Sequence, residues 1–89
     1  MNIIEFHILE ELIRQDQKWG ADRTLLTHTW LSILCEETGE IAEAALKDDL
    51  AAMRSELIQA AAICRQIIEA IDDGRALIPL KLTTGEETK

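Results

Sequence analysis

Six oxygen-bearing side chains recur at helical spacing in the middle of the chain: Glu36, Glu37, Glu40 and Glu43 in one stretch, Glu56 and Gln59 in the next. Their placement on a helix decides what chemistry they can do. On a wheel advancing about 100° per residue, Glu37 falls at the centre of an apolar stripe formed by Trp30, Ile33, Ile41 and Ala44. Glu40 lies at the edge of that stripe, and Glu36 and Glu43 lie further round in the same direction. The second stretch repeats the arrangement, with Glu56 central to Ala52, Ala60, Ile63 and Ile67 and Gln59 at the edge. An ionised carboxylate among aliphatic side chains is costly, or takes up a proton, unless a cation pairs with it. A single inward Glu is ordinarily explained by a salt bridge, here from Arg14, Lys18, Arg54 or Arg65, or by a helix turned so that the acid meets solvent. The same pattern on two adjacent helices points instead to a divalent cation. All-oxygen ligands on facing helices suit Mg2+ or Mn2+ rather than Zn2+, which prefers His and Cys.

The elements that must position these groups are helical. Ile4, Ile8, Leu9, Leu12 and Ile13 predict an amphipathic helix from Asn2 to about Lys18, with Asn2 as N-cap and Trp19-Gly20 as its end. A loop to Leu26 precedes a second helix, N-capped by Thr27 and running to about Lys47. Asp48 and Asp49 form a short connection and cap a third helix that continues to Asp73 and stops at Gly74. So short a link makes the second and third helices an antiparallel hairpin. Residues 1–74 thus read as an all-α domain, and 75–89 as a C-terminal tail with an apolar patch (Leu77, Ile78, Leu80, Leu82) and a polar end.

Composition narrows the function. At 89 residues and 10.0 kDa there is room for one domain, and a chain this short buries only about 60 to 65% of its unfolded surface. A formal charge of −8, with no basic stripe, argues against a nucleic-acid partner and against a helix-turn-helix DNA binder in particular. No apolar run approaches the roughly 20 residues of a membrane span. Cys35 and Cys64 form neither a CxxC pair nor a His/Cys cluster and read as small buried hydrophobes, and the expected setting is the reducing cytoplasm. The second helix carries a further apolar sector of Leu31, Cys35, Ala42 and Leu46, with Gly39 suggesting a close helix approach. A helix apolar nearly all round must be buried nearly all round, which predicts a homodimer. Its core would be a four-helix bundle made of two hairpins, with the tail from Leu77 to Leu82 packed across the partner.

Glu36-Glu37-Thr38-Gly39-Glu40 is similar to the EExxE signature of the MazG-like, all-α nucleoside triphosphate pyrophosphohydrolases. Ile41-Ala42-Glu43-Ala44 continues it, and Glu56-Leu57-Ile58-Gln59 stands at the place of the family's ExxD signature. Arg14-Gln15 with Lys18-Trp19-Gly20 ahead, and Ala60-Ala61-Ala62 behind, extend the resemblance over about residues 5 to 72. It implies that Glu37, Glu40 and Glu56 bind Mg2+. Gln59 departs from the pattern, for the family usually has Asp there, and an amide oxygen brings no charge, so metal is held less tightly. The implied reaction splits a nucleoside triphosphate between its α and β phosphates, releasing the monophosphate and pyrophosphate, and the implied assembly is a dimer or a dimer of dimers. Glu36 or Glu43 could orient the attacking water, or be plain solvated surface. Arg14 and Lys18 could contact phosphates or merely balance neighbouring acids. Trp19 and Trp30 could stack on a base, although a lone Trp on an apolar stripe is more often core. The competing class is a non-catalytic helical dimer that binds a partner and keeps the fold with a weakened metal site.

Overall fold

The computed structural model describes residues 1–79, arranged as three helices and one minimal strand pair. Helix α1 spans Ile3–Trp19, α2 spans Thr27–Leu46 and α3 spans Leu50–Asp72. Local chemistry sets most of the ends. Asn2 caps α1 by accepting from the Glu5 N–H at 2.9 Å, and Asp49 caps α3 by accepting from the Ala52 N–H at 3.0 Å. Past α3, Gly74 takes the left-handed φ of +73° that L-residues avoid, and the chain turns back so that the Arg75 N–H donates to the Ala70 carbonyl.

The start of α2 differs from expectation. Thr27 is its first helical residue rather than its cap, and Leu26 at the cap position makes no side-chain bond. The backbone is fixed there by a strand pair that periodicity did not reveal. β1 (Leu25–Leu26) runs parallel to β2 (Ala76–Leu77), with the Leu25 N–H donating to the Arg75 carbonyl at 3.0 Å. The described start of the tail is therefore tied to the α1–α2 connection. Leu80 and Leu82, also expected in the tail's apolar patch, lie outside the described residues.

Helix α3 is the central element. Both α1 and α2 pack on it, and they do not pack on each other. His7 meets Arg54, and Gln15 meets Gln59 and Gln66, so α1 runs parallel to α3 while α2 forms the antiparallel hairpin with it. Three helices side by side leave a thin core of Trp30, Ala44, Ala62, Ile63 and Ala70. Trp30, Ala44 and Ile63 are stripe residues of the helical wheel. The second apolar sector of α2 is uncovered in this chain: Leu31 and Leu46 are exposed, Leu46 by 86%. Cys35 and Cys64 are exposed as well, not buried, because both sit on helix faces turned away from the hairpin. Gly39 marks no close approach within the chain, since a Cβ there would meet open space. Among the described residues, no helix is long and apolar enough to cross a membrane.

Candidate metal centre and its cleft

Glu37 and Glu40 lie one turn apart on α2 and face Glu56 on α3; one carboxylate oxygen from each falls within 4.8 Å of the others. Glu37 and Glu56 are half-buried and Glu40 is exposed. One oxygen of Glu37 and one of Glu56 are shielded from solvent and accept no hydrogen bond. The four cations that the sequence offered to neutralise this cluster make their closest contacts with other groups. Arg14 forms a two-point contact with Glu11 at 2.9 and 2.6 Å, and Arg54 donates to His7 at 3.1 Å. Arg65 lies 3.9 Å from Glu69, and the Lys18 ammonium sits 4.9 Å from the centre of the Trp19 ring.

Unpaired carboxylates this close hold protons. Burial first, then the facing Glu56 carboxyl and the Glu40 charge, push Glu37 up to about 7. Glu40 is also raised, chiefly by its contact with Glu56 and by the Glu56 charge. Glu11, on α1, shows the reverse balance. Burial pushes it up, but hydrogen bonds from Arg14 and Gln15 prevail and leave it below its ordinary value. A hard divalent cation fits the acidic cluster on chemical grounds: the donors are all oxygen, and two shielded oxygens lack any other partner.

A cleft of about 380 Å3 opens beside the cluster. Glu36, Glu37, Glu40 and Gln59 line one end of it; Arg14, Lys18 and Trp19 on α1 line the opposite wall. Trp19 is 58% exposed there, with the Lys18 ammonium over its ring. Other residues singled out from sequence fall outside this cleft. Glu43 is paired with Lys47 at 2.9 Å, which lowers its pKa, and it borders a separate groove with Glu40 and Glu56. Trp30 is 2% exposed and belongs to the core, beneath the Arg23 guanidinium at 5.1 Å.

Three polar residues of the cleft region were given no role of their own in the sequence reading. Gln15, 5% exposed, donates to Glu11 at 2.7 Å and to the Gln59 carbonyl at 3.4 Å, and its own oxygen accepts from Gln66. Gln66 in turn accepts from Arg23 at 3.2 Å. The signal for Gln15 was available, because it continues the Ile8–Leu12 row of α1 at the next helical step. Arg23 lies in a connection where periodicity gives no orientation. Set against known proteins, the chain matches no family model, no curated protein and no solved structure.

Proposed function

We propose that this protein is a Mg2+-dependent nucleoside triphosphate pyrophosphohydrolase of the MazG-like kind, able also to use Mn2+, that removes surplus or noncanonical (d)NTPs in the cytoplasm. One observation carries the reading: three carboxylates converge, and one oxygen of Glu37 and one of Glu56 are shielded from solvent and accept no hydrogen bond. Glu37, Glu40 and Glu56 would hold the metal, with the Gln59 amide as a neutral fourth ligand. The bound cation would neutralise the triphosphate and polarise the reacting phosphorus. Arg14 and Lys18 bring positive charge to the facing wall for phosphate oxygens, and Trp19 offers its exposed ring to the base.

In the reaction, water oxygen adds to the α phosphorus, the bond from that phosphorus to the bridging oxygen breaks, and pyrophosphate leaves with the electron pair. Glu36 is the better candidate to orient that water and take its proton, since it lines the cleft while Glu43 is held by Lys47. The uncovered sector of α2 supports a homodimer, or a dimer of dimers, in which paired α2–α3 hairpins close a four-helix core. Exposed Cys35, Cys64 and Gly39 would then become contact positions.

The test is incubation with a panel of canonical and modified (d)NTPs, with Mg2+ or with EDTA, and identification of products by chromatography and mass. Monophosphate plus pyrophosphate, formed only with Mg2+ and lost in Glu37→Gln, is the expected result. The neutral amide at Gln59 favours one second reading, a partner-binding helical dimer, and no turnover of any nucleotide would select it.

A further inference from the structure

The geometry points to Arg23 as the residue that reads the substrate's base, and to a 6-oxopurine as the base it accepts. The inference rests on the cleft being a nucleotide site. Arg23 forms the partition between that cleft and a smaller cavity of about 200 Å3 beside Trp30. Three contacts immobilise it. Its guanidinium lies against the buried Trp30 ring, its Nη2 donates to Gln66, and its own carbonyl accepts from Arg75 Nη1 at 3.0 Å. Its Nε is shielded from water and has no partner among the described residues.

Position along the cleft assigns the ligand group. Trp30, which carries Arg23, precedes Glu37 by seven residues on α2, about 10 Å along the helix axis. Between the two levels the cleft is lined by Ile33 and Ile63, side chains suited to a flat apolar face and not to phosphate. With phosphates seated at the carboxylates, a purine nucleoside has the length to span that separation and bring its outer edge to the Arg23 level, which a pyrimidine does less fully.

The direction of hydrogen bonding then selects among bases. Arginine can only donate and Glu11 can only accept, so the chain Arg23 to Gln66 to Gln15 to Glu11 has one orientation, and neither glutamine can turn to offer Arg23 a different role. With Nε shielded and one Nη2 hydrogen given to Gln66, the Nη1–Nη2 edge is the fork left to match two adjacent acceptors, as O6 and N7 of guanine or hypoxanthine provide. Adenine places its N6 amino donor against that fork. Cytosine has adjacent acceptors but is too short to reach from the carboxylate level.

Binding of GMP, IMP, AMP and CMP, followed through the fluorescence of Trp19 and Trp30, tests the inference separately from hydrolysis. GMP and IMP should bind about tenfold or more tightly than AMP and CMP, and Arg23→Lys should erase that preference. Lysine keeps a cation over Trp30 but has no fork, and circular dichroism should show both proteins equally helical. Arg23→Gln should also lose the preference, which guards against an effect peculiar to lysine. Equal binding of all four nucleotides, binding of none, or a preference that survives both substitutions would overturn the assignment. A uniform loss across all four in Arg23→Lys would overturn it too, by making Arg23 a phosphate contact. If the preference and its loss are seen but no triphosphate is turned over, the base reading stands and the hydrolase reading falls.

Discussion

At Glu37 two requirements collide, because the residue sits in an apolar stripe yet faces two further carboxylates. Its pKa of about 7 means that a proton occupies the site near neutrality when no cation does. Metal and proton therefore compete, and Mg2+ affinity should rise as pH increases through about 7. The stability of the metal-free protein should run the other way. Below the ordinary value of 4.5 the carboxyl is protonated in both folded and unfolded chains. Between 4.5 and about 7 the folded chain binds more protons, so this group's stabilising contribution is progressively lost as pH rises through that window. Thermal melts at pH 5.5 and pH 8, with and without Mg2+, should show the metal raising Tm mainly at the higher pH. Glu37→Gln should flatten both dependences. Gln59→Asp should tighten Mg2+ by about an order of magnitude, measured by titration calorimetry, because it restores a charge to the ligand set. These acids were legible in sequence because a charge inside an apolar stripe is a conflict that needs a resolution. Arg23 was not, since its placement depends on the Trp30 ring, the Gln66 amide and the Arg75 guanidinium, which come from other parts of the chain.

Among the elements, the α1–α3 interface differs from the α2–α3 hairpin in being held partly by a polar chain at its centre. Gln15 is buried and all its polar atoms are used, so removing its partner leaves an acceptor without a donor. Gln66→Leu should accordingly destabilise the fold by about 1 to 3 kcal/mol in urea denaturation. It also frees Arg23 on one side. The helix ends were readable beforehand where a side chain makes them, as at Asn2, Asp49 and Gly74. Gly74→Ala should cost about 1 to 2 kcal/mol, because φ of +73° is unfavourable for any residue with a Cβ. The start of α2 was misread for the opposite reason. Its boundary is set by backbone pairing between residues 25–26 and 76–77, 51 positions apart, and two-residue strands leave no periodic trace in sequence.

The described part of the molecule is long and thin, with extents of 52 × 29 × 21 Å and a radius of gyration of 16.1 Å, against about 12 Å for a compact chain of similar length. Three helices in a row cannot wrap α2, whose two apolar sectors lie on opposite sides. The sequence already carried this imbalance, although it named no partner, because a helical wheel counts apolar faces without saying what covers them. Leu31 on α2 and Leu57, Ile68 and Ile71 on α3 are all exposed in the single chain, so the hairpin presents a broad apolar surface to solvent. A second copy of the same hairpin supplies a matching surface, and a two-fold arrangement closes without leaving a free face. Light scattering at micromolar concentration should therefore give twice the chain mass of 10.0 kDa. Because folding and association are then linked, Tm should climb with protein concentration. A charge placed in the uncovered sector, as in Leu31→Lys, should dissociate the dimer and lower Tm at every concentration. The same substitution in an intrinsically stable monomer would leave both the mass and the melt unchanged, since Leu31 is already exposed in the isolated chain.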